Sequence, residues 1–308
     1  MTQLFTQSII AIVWDFDKTL IPGYMQRPLF ERFNVDEKQF WAEVNALPEK
    51  YRARGCQQIS TEILYLNHIL DYVRQGRFSG LTNAMLREMG AELEFYPGLP
   101  EFFPALKAQL QQEEVFQHHD IILEHYVVST GLTQMITGSA IAPYLDGIWG
   151  CEFVEALNED NPVLTHLGYV LDNTTKTRAV FEINKGSNKH SEIDVNARIE
   201  EKDRRIPVQN MIYIADGPSD VPVFSVINHG GGKTYGVYRP GSSREFQQVN
   251  RLQQQGRVQS FGPADYTEGS QTHMWLLNAV NEIATRIVRD RERVLGEKVG
   301  EAPRHLNG

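Results

Sequence analysis

One stretch, Ile9 to Leu20, reading IIAIVWDFDKTL, limits the possible folds more than any other part of the chain. Its apolar run carries β-branched residues and is not interrupted by polar ones, the pattern of a strand covered on both faces, as in a parallel sheet. The run then gives way at once to Asp15, Phe16, Asp17, Lys18 and Thr19. Asp15 therefore falls where the strand ends. In open α/β sheets ligands collect outside the carboxyl ends of the strands, so a carboxylate there faces a site and not a core. The competing reading, an acidic loop after an edge strand, is tested by whether other strands end the same way.

Two others do. Tyr126 to Val128 reads as a strand with Ser129, Thr130 and Gly131 as the turn at its end, followed by a helix from Leu132. Met211 to Ala215 reads as another buried strand, stopping at Asp216 and Gly217, with Asp220 four residues further on. Parallel strands bring these ends to one edge of the sheet. Four carboxylates gathered there repel one another, since two unit charges about 4 Å apart cost about 4 kcal/mol at an effective dielectric of about 20. A divalent cation relieves that repulsion, and an all-oxygen, carboxylate-rich donor set suits Mg²⁺ better than zinc.

Between the first and second of these strands the pattern changes. After Pro22 and Gly23 the chain reads as amphipathic helix for about seventy residues. Phe30, Phe33, Phe40, Trp41 and Val44 fall at helical spacing, and the clearest helix opens at Ser60 or Thr61 and ends at Gly76. Another runs from about Thr82 to Met89, before the break at Tyr96, Pro97 and Gly98. Residues 24–95 read as one helical insertion. Beyond it the alternation of an α/β domain resumes, with a helix at 101–111, short strands near 149–153 and 168–171, and a helix at 177–183. Residues 184–209, charged and rich in asparagine, read as an exposed excursion. Strands at 235–238 and 258–261 and a helix from Gln271 to about Val294 complete the pattern.

Composition excludes several functions. Thirty Lys and Arg against 39 Asp and Glu give a net charge of −9, with no basic patch to attract nucleic acid or an anionic membrane. Two cysteines, Cys56 and Cys151, indicate neither a disulfide framework nor a thiolate metal site. No uncharged apolar stretch approaches the roughly 20 residues of a spanning helix, and the N-terminus has no basic segment or cleavage signal. A soluble, cytoplasmic protein is expected. The run GGGKT, Gly230 to Thr234, ends like a phosphate-binding loop, but the earlier glycine that such a loop needs is Ile227 here. The adjacent His118 and His119 cannot face one metal from a regular element and read as surface residues.

The constellation resembles the haloacid dehalogenase superfamily of phosphohydrolases at each of its four motifs, in order. Asp15, Asp17 and Thr19 in DFDKT match the first, Ser129 in VVSTG the second, Lys176 in TTKTRAVF the third, and Asp216 with Asp220 in IADGPSD the fourth. The resemblance implies a Rossmann-like α/β core with a parallel sheet, residues 1–22 and 96–295. It also implies an inserted α-helical cap of the C1 type over 23–95, as in phosphoserine phosphatase-like members; independently of it, the polar residues at 296–308 read as a flexible tail. It implies Asp15 as nucleophile and Asp17 as general acid and base. Ser129, Thr130, Gly131 and Lys176 would bind phosphate, and Mg²⁺ would be held by Asp15, the backbone carbonyl of Asp17, Asp216 and Asp220. The expected activity is Mg²⁺-dependent hydrolysis of a small soluble phosphomonoester through an aspartyl phosphate. A phosphomutase or phosphotransferase would use the same intermediate, and a non-catalytic binding protein would keep the fold and lose a motif residue.

Simpler roles compete at several positions. Ser129 could cap a helix, Asp220 could cap the helix that follows it, and Lys176 competes with Lys185 and Lys189. The substrate is not legible: Arg27 or Arg32 could meet the carboxylate of phosphoserine, while phosphosugars, phosphocholine-like compounds and nucleotides are equally compatible.

Overall fold

The computed structural model describes residues 5–157 and 162–300, with side chains described as far as residue 294. Seven strands form one sheet in the order β4-β3-β2-β1-β5-β6-β7. β1 (Ile9–Trp14) is central, pairing in parallel with β2 (Ile122–Leu132) on one side and with β5 (Met211–Ala215) on the other. The parallel ladder continues from β2 to β3 (Gly147–Glu155), and from β5 through β6 (Lys233–Tyr238) to β7 (Ser260–Pro263). Among the described residues only β4 (Leu164–Tyr169) is antiparallel, pairing with β3 at the sheet's edge. The fold is α/β with a mostly parallel sheet. Ile10 to Trp14 and the whole of β5 are fully buried, as a doubly covered sheet requires.

Four helices separate β1 from β2's half of the core: α1 (Arg27–Arg32), α2 (Glu37–Arg52), α3 (Thr61–Arg74) and α4 (Asn83–Gly90). Asp36, Ser60 and Thr82 accept backbone N–H groups at the starts of α2, α3 and α4, which satisfies donors that would otherwise be orphaned. Their aromatic stripes meet in one cluster, in which Phe40 packs against Phe30, Trp41, His68 and Tyr72. The remaining helices are α5 (Phe102–Gln112), α6 (Glu114–His118), α7 (Thr133–Gly138), α8 (Lys176–Lys185), α9 (Val221–His229), α10 (Ser243–Gln254) and α11 (Gln271–Gly300). Among the described residues no helix is long and apolar enough to cross a membrane.

The structure differs from the sequence reading in four places. Ser129 to Gly131 do not form a turn; they continue β2, whose register against β3 shifts between Val128 and Leu132. The strand's polar end is therefore an irregular strand segment. The hairpin partner starts at Leu164 and not at 168. The excursion at 184–209 is exposed along much of its length, but its ends are tied in. Asn184 Nδ2 donates to Ile206 O at 2.7 Å, and Arg205 pairs with buried Glu124 through both Nη atoms, at 2.7 and 2.6 Å. Helix α11 continues six residues past Val294 to Gly300, so the start of the expected tail is helical, and 301–308 lie outside the described residues.

Candidate active site

Three strand ends meet at the middle of the sheet. Trp14 is level with Val127 of β2 and Ile214 of β5, and the Asp15 N–H donates to Ile214 O at 2.9 Å. Asp15 and Asp216 are thus brought side by side, with Ser129 one strand over. The chain after Asp15 is wound tightly: Leu20 N donates to Phe16 O at 2.8 Å and Lys18 takes a positive φ of 60°. Tyr266 Oη pins the loop by donating to Thr19 O at 2.7 Å.

Lys176, the first residue of α8, reaches this edge from the far side. Its Nζ donates to Asp15 Oδ1 and to Asp220 Oδ1, each at 2.7 Å, and the side chain is 1% exposed. Burial alone would strip its proton, but the two carboxylates outweigh that and hold the ammonium above its ordinary value. The turn before α8 is set by Asp172, whose Oδ1 accepts the N–H groups of Thr174 and Thr175 at 2.8 and 2.7 Å. The competing lysines are engaged elsewhere: Lys185 with the carbonyls of Val195 and Ala197, Lys189 with that of Asp146.

Asp220 is fully buried. Besides Lys176, it accepts Tyr213 Oη at 2.6 Å and Ser219 Oγ at 2.8 Å. Although it stands at the start of α9, its side chain caps nothing. Ser129 is not a helix cap either; its Oγ accepts the Gly131 N–H at 3.0 Å within β2. Thr130 contributes its carbonyl, which accepts Tyr65 Oη at 2.8 Å from α3. A side chain on Gly131 would run into Met25, whose Sδ lies 3.0 Å from Leu132 N.

The carboxylates of Asp15, Asp216 and Asp220 each place an oxygen within 4.8 Å of the others. Such a group of hard oxygen donors fits a divalent cation bound through oxygen. Asp220's oxygens are engaged by protein donors, whereas Asp216 stands with its carboxylate open and its pKa driven well above the usual range by burial, then by Asp15 and Asp220. A cation would relieve that charge crowding. Asp15 is also raised, by burial first, with Lys176 and the Thr19 hydroxyl, 3.0 Å from Oδ2, opposing the shift. Asp17 stands apart from the cluster of three. Its Oδ1 accepts the Met25 N–H at 3.0 Å, and burial followed by the Asp15 charge pushes its pKa up to about 8, so it carries a proton at neutral pH.

Sequence reasoning missed Asp172, Tyr213, Gln26 and Tyr65. The TTK turn offered a signal for Asp172, because Asx turns favour an aspartate ahead of a helix start. Nothing in sequence singled out the others. Lys233 of the GGGKT run opens β6 and pairs with Glu282, away from this edge. Arg27 and Arg32 pair on the surface with Glu31 and Glu88.

The mostly parallel strand order, with helices inserted between β1 and β2, is an α/β fold similar to that of solved haloacid dehalogenase family and phosphoserine phosphatase structures. A haloacid dehalogenase family hydrolase from Salmonella enterica serovar Typhi superimposes with a TM-score of 0.52 at 15% identity, covering 83% of this chain and 67% of that one. The unliganded form of a probable phosphoserine phosphatase from Vibrio cholerae gives 0.51 at 11% identity, covering 92% and 68%. By sequence, the chain belongs to one family with an uncharacterized protein of Borreliella burgdorferi, 38% identical over 288 residues that span 89% of this chain and 97% of that protein. No family model matches the chain.

Proposed function

We propose that the protein is a Mg²⁺-dependent phosphatase acting on a small soluble phosphomonoester through an aspartyl phosphate on Asp15. The observation that carries this reading is Lys176 held at 2.7 Å from both Asp15 and Asp220, within a group of three carboxylates at the sheet's carboxyl edge. A buried carboxylate kept beside a fixed ammonium is positioned to attack an anionic phosphate that it would otherwise repel.

In this reading an Asp15 oxygen attacks phosphorus, the bond from phosphorus to the ester oxygen breaks, and Asp17 gives its proton to that oxygen, releasing the alcohol. Water then attacks the phosphorus, Asp17 recovers a proton from it, and phosphate leaves with Asp15 restored. Lys176 and Ser129, with the backbone of Thr130 and Gly131, hold the phosphoryl oxygens, while Asp220, itself held by the Tyr213 hydroxyl, fixes Lys176. Asp15, Asp216 and the carbonyl of Asp17 would hold Mg²⁺, with Asp220 behind them, and the bound ion would neutralise charge on the phosphoryl group. Residues 23–95 act as the cap that excludes water and meets the leaving group.

The test is hydrolysis of an aryl phosphate with Mg²⁺ and with chelator. Turnover should require the ion, and Asp15→Asn should reduce it to background while the melting temperature shows a folded protein. Undiminished turnover in chelator removes the metal from the reading, and persistent activity in Asp15→Asn removes the nucleophile.

A further inference from the structure

Close to Asp17 the inserted segment carries buried polar atoms with no partner within the protein. Gln26, next to the residue whose N–H holds Asp17, is 2% exposed, and its Oε1 has no hydrogen-bond partner. The rest of its amide lies against the Tyr65 hydroxyl. That hydroxyl spends its proton on Thr130 O and can only accept from Gln26. The Gln26 nitrogen therefore faces Tyr65, and the oxygen is left as a free acceptor. The Trp41 ring lies 5.8 Å from that of Tyr65, and its buried Nε1–H likewise has no partner. One acceptor and one donor, set in an aromatic wall, are both unsatisfied. Buried polar groups left in this state cost free energy until a bound water or a ligand completes them, and a hydroxyl of a ligand can take the place of that water.

The charges of the insertion are as informative. Its arginines and lysines are exposed apart from Arg77, which lies over the Tyr72 ring at 3.9 Å and beside Glu43 at 3.7 Å. No cation of the insertion is therefore placed to meet a buried carboxylate. Against Gln26, Trp41 and Tyr65 a zwitterionic leaving group would bury charge with no counter-charge from the insertion, which is costly; Lys18, next to Asp17 in the chain, is turned to the Tyr24 hydroxyl at 2.8 Å. A hydroxyl group donates and accepts at once and carries no charge, and aromatic faces suit the apolar faces of a sugar ring.

We propose that Gln26, Trp41 and Tyr65 select a neutral, hydroxyl-bearing leaving group, a sugar or polyol, over the amino-acid leaving group of phosphoserine. This inference rests on the phosphatase reading above. Its test compares kcat/KM for a sugar phosphate, a polyol phosphate, a nucleoside monophosphate, phosphoserine and an aryl phosphate, in the natural protein and in Gln26→Leu and Trp41→Phe. The natural protein should favour a hydroxyl-bearing substrate over phosphoserine by about tenfold or more, and each variant should lower the ratio of that substrate to the aryl phosphate by about tenfold. The sugar-phosphate and nucleotide arms tell a free sugar from one carried by a base. Trp41→Phe keeps the ring, so a folded variant is available even if Gln26→Leu melts early. Preference for phosphoserine, or ratios unmoved in both variants, overturns the inference while leaving the phosphatase reading intact. Failure to hydrolyse even the aryl phosphate overturns both.

Discussion

The inserted helices are joined to the sheet in two unlike ways. α4 lies backbone against backbone on α7: a Cβ on Gly138 would fall 1.7 Å from Arg87 O, and one on Gly90 would fall 2.1 Å from Met135 O. It is tied further to the β3–β4 pair, with Asn83 Nδ2 donating to Phe153 O at 3.0 Å. α3, by contrast, reaches the core through side chains, with Tyr65 on Thr130 O at 2.8 Å, and Asn173 and Glu62 3.4 Å apart. The difference teaches where movement is cheap. Swinging all four helices about Pro22–Gly23 and Pro97–Gly98 would open the glycine contact and lose close backbone packing that water cannot replace. Tilting α1 to α3 would part apolar side chains and exchange side-chain hydrogen bonds for bonds to water, without forcing two helix backbones apart. We therefore expect any opening of the site at α1 to α3, with α4 held to the core by its backbone contacts.

The largest test of that contrast is Gly138→Ala. The new methyl cannot fit beside Arg87 O, so α4 or α7 must shift, at a cost of about 3 kcal/mol, the upper end for overpacking. Thermal or denaturant unfolding reads it directly. A variant as stable as the natural protein would show that the two helices separate freely, and the contrast would fail.

Acid gives a second, smaller effect that acts on the core beneath both attachments. His125 is fully buried in β2, its Nδ1 accepting Trp14 Nε1 at 3.3 Å, and its pKa is driven down to about 3 by burial, then by Lys107. Above pH 6.5 it is neutral in both the folded and unfolded chains. Below that, the unfolded chain takes up a proton and the folded one does not until about pH 3, so stability falls as pH falls through this window. At pH 5 the loss from this group is about 2 kcal/mol. His125→Gln, which keeps an acceptor for Trp14, should remove that part of the pH dependence. If acid loosens α3 alone and leaves global unfolding untouched, as hydrogen exchange would report, His125 is not the group responsible.

The same contrast marks what could be read from sequence. The sheet edge was legible because a change from apolar strand to charge happens within one residue, at Trp14–Asp15 and at Ala215–Asp216. That change follows from burial on both faces. Ser129 was placed at the sheet's carboxyl edge although its strand was drawn too short, since STG resembles turn chemistry while β2 carries it as an irregular strand. Spacing alone could not separate Lys176 from Lys185 and Lys189, which differ only in what stands opposite them in space. The helical nature of the insertion was legible from its period, and α3 from its cap as well, but the division into α1 and α2 and the attachment to the core were not. Gly90 and Gly138 lie 48 residues apart, and a glycine in a helix shows no preference for which backbone will approach it. Gln26 and Trp41 were silent for a similar reason, because an unused hydrogen bond exists only once the neighbours are fixed.

The smallest predicted effect is the sharpest for the α3 side. Tyr65→Phe removes one hydroxyl from a buried ring and keeps its packing against Trp41. Thr130 O then keeps the weak Cys151 Sγ contact at 3.3 Å but loses the stronger hydroxyl, and the Gln26 nitrogen loses its acceptor. A neutral hydrogen bond lost in this way costs about 1 kcal/mol. If α3 is the element that opens, that cost falls on its local closure and not on global unfolding. Amide exchange in α3 should then rise about fivefold, while exchange in α4 and the melting temperature change little. Because Thr130 continues the strand segment that carries Ser129, the variant should raise KM more than it lowers kcat, with the closed state less populated and the carboxylate edge unchanged. Equal acceleration of exchange in α3 and α4 would mean that the insertion opens as one body after all, and the glycine contact would then have to be broken in every turnover.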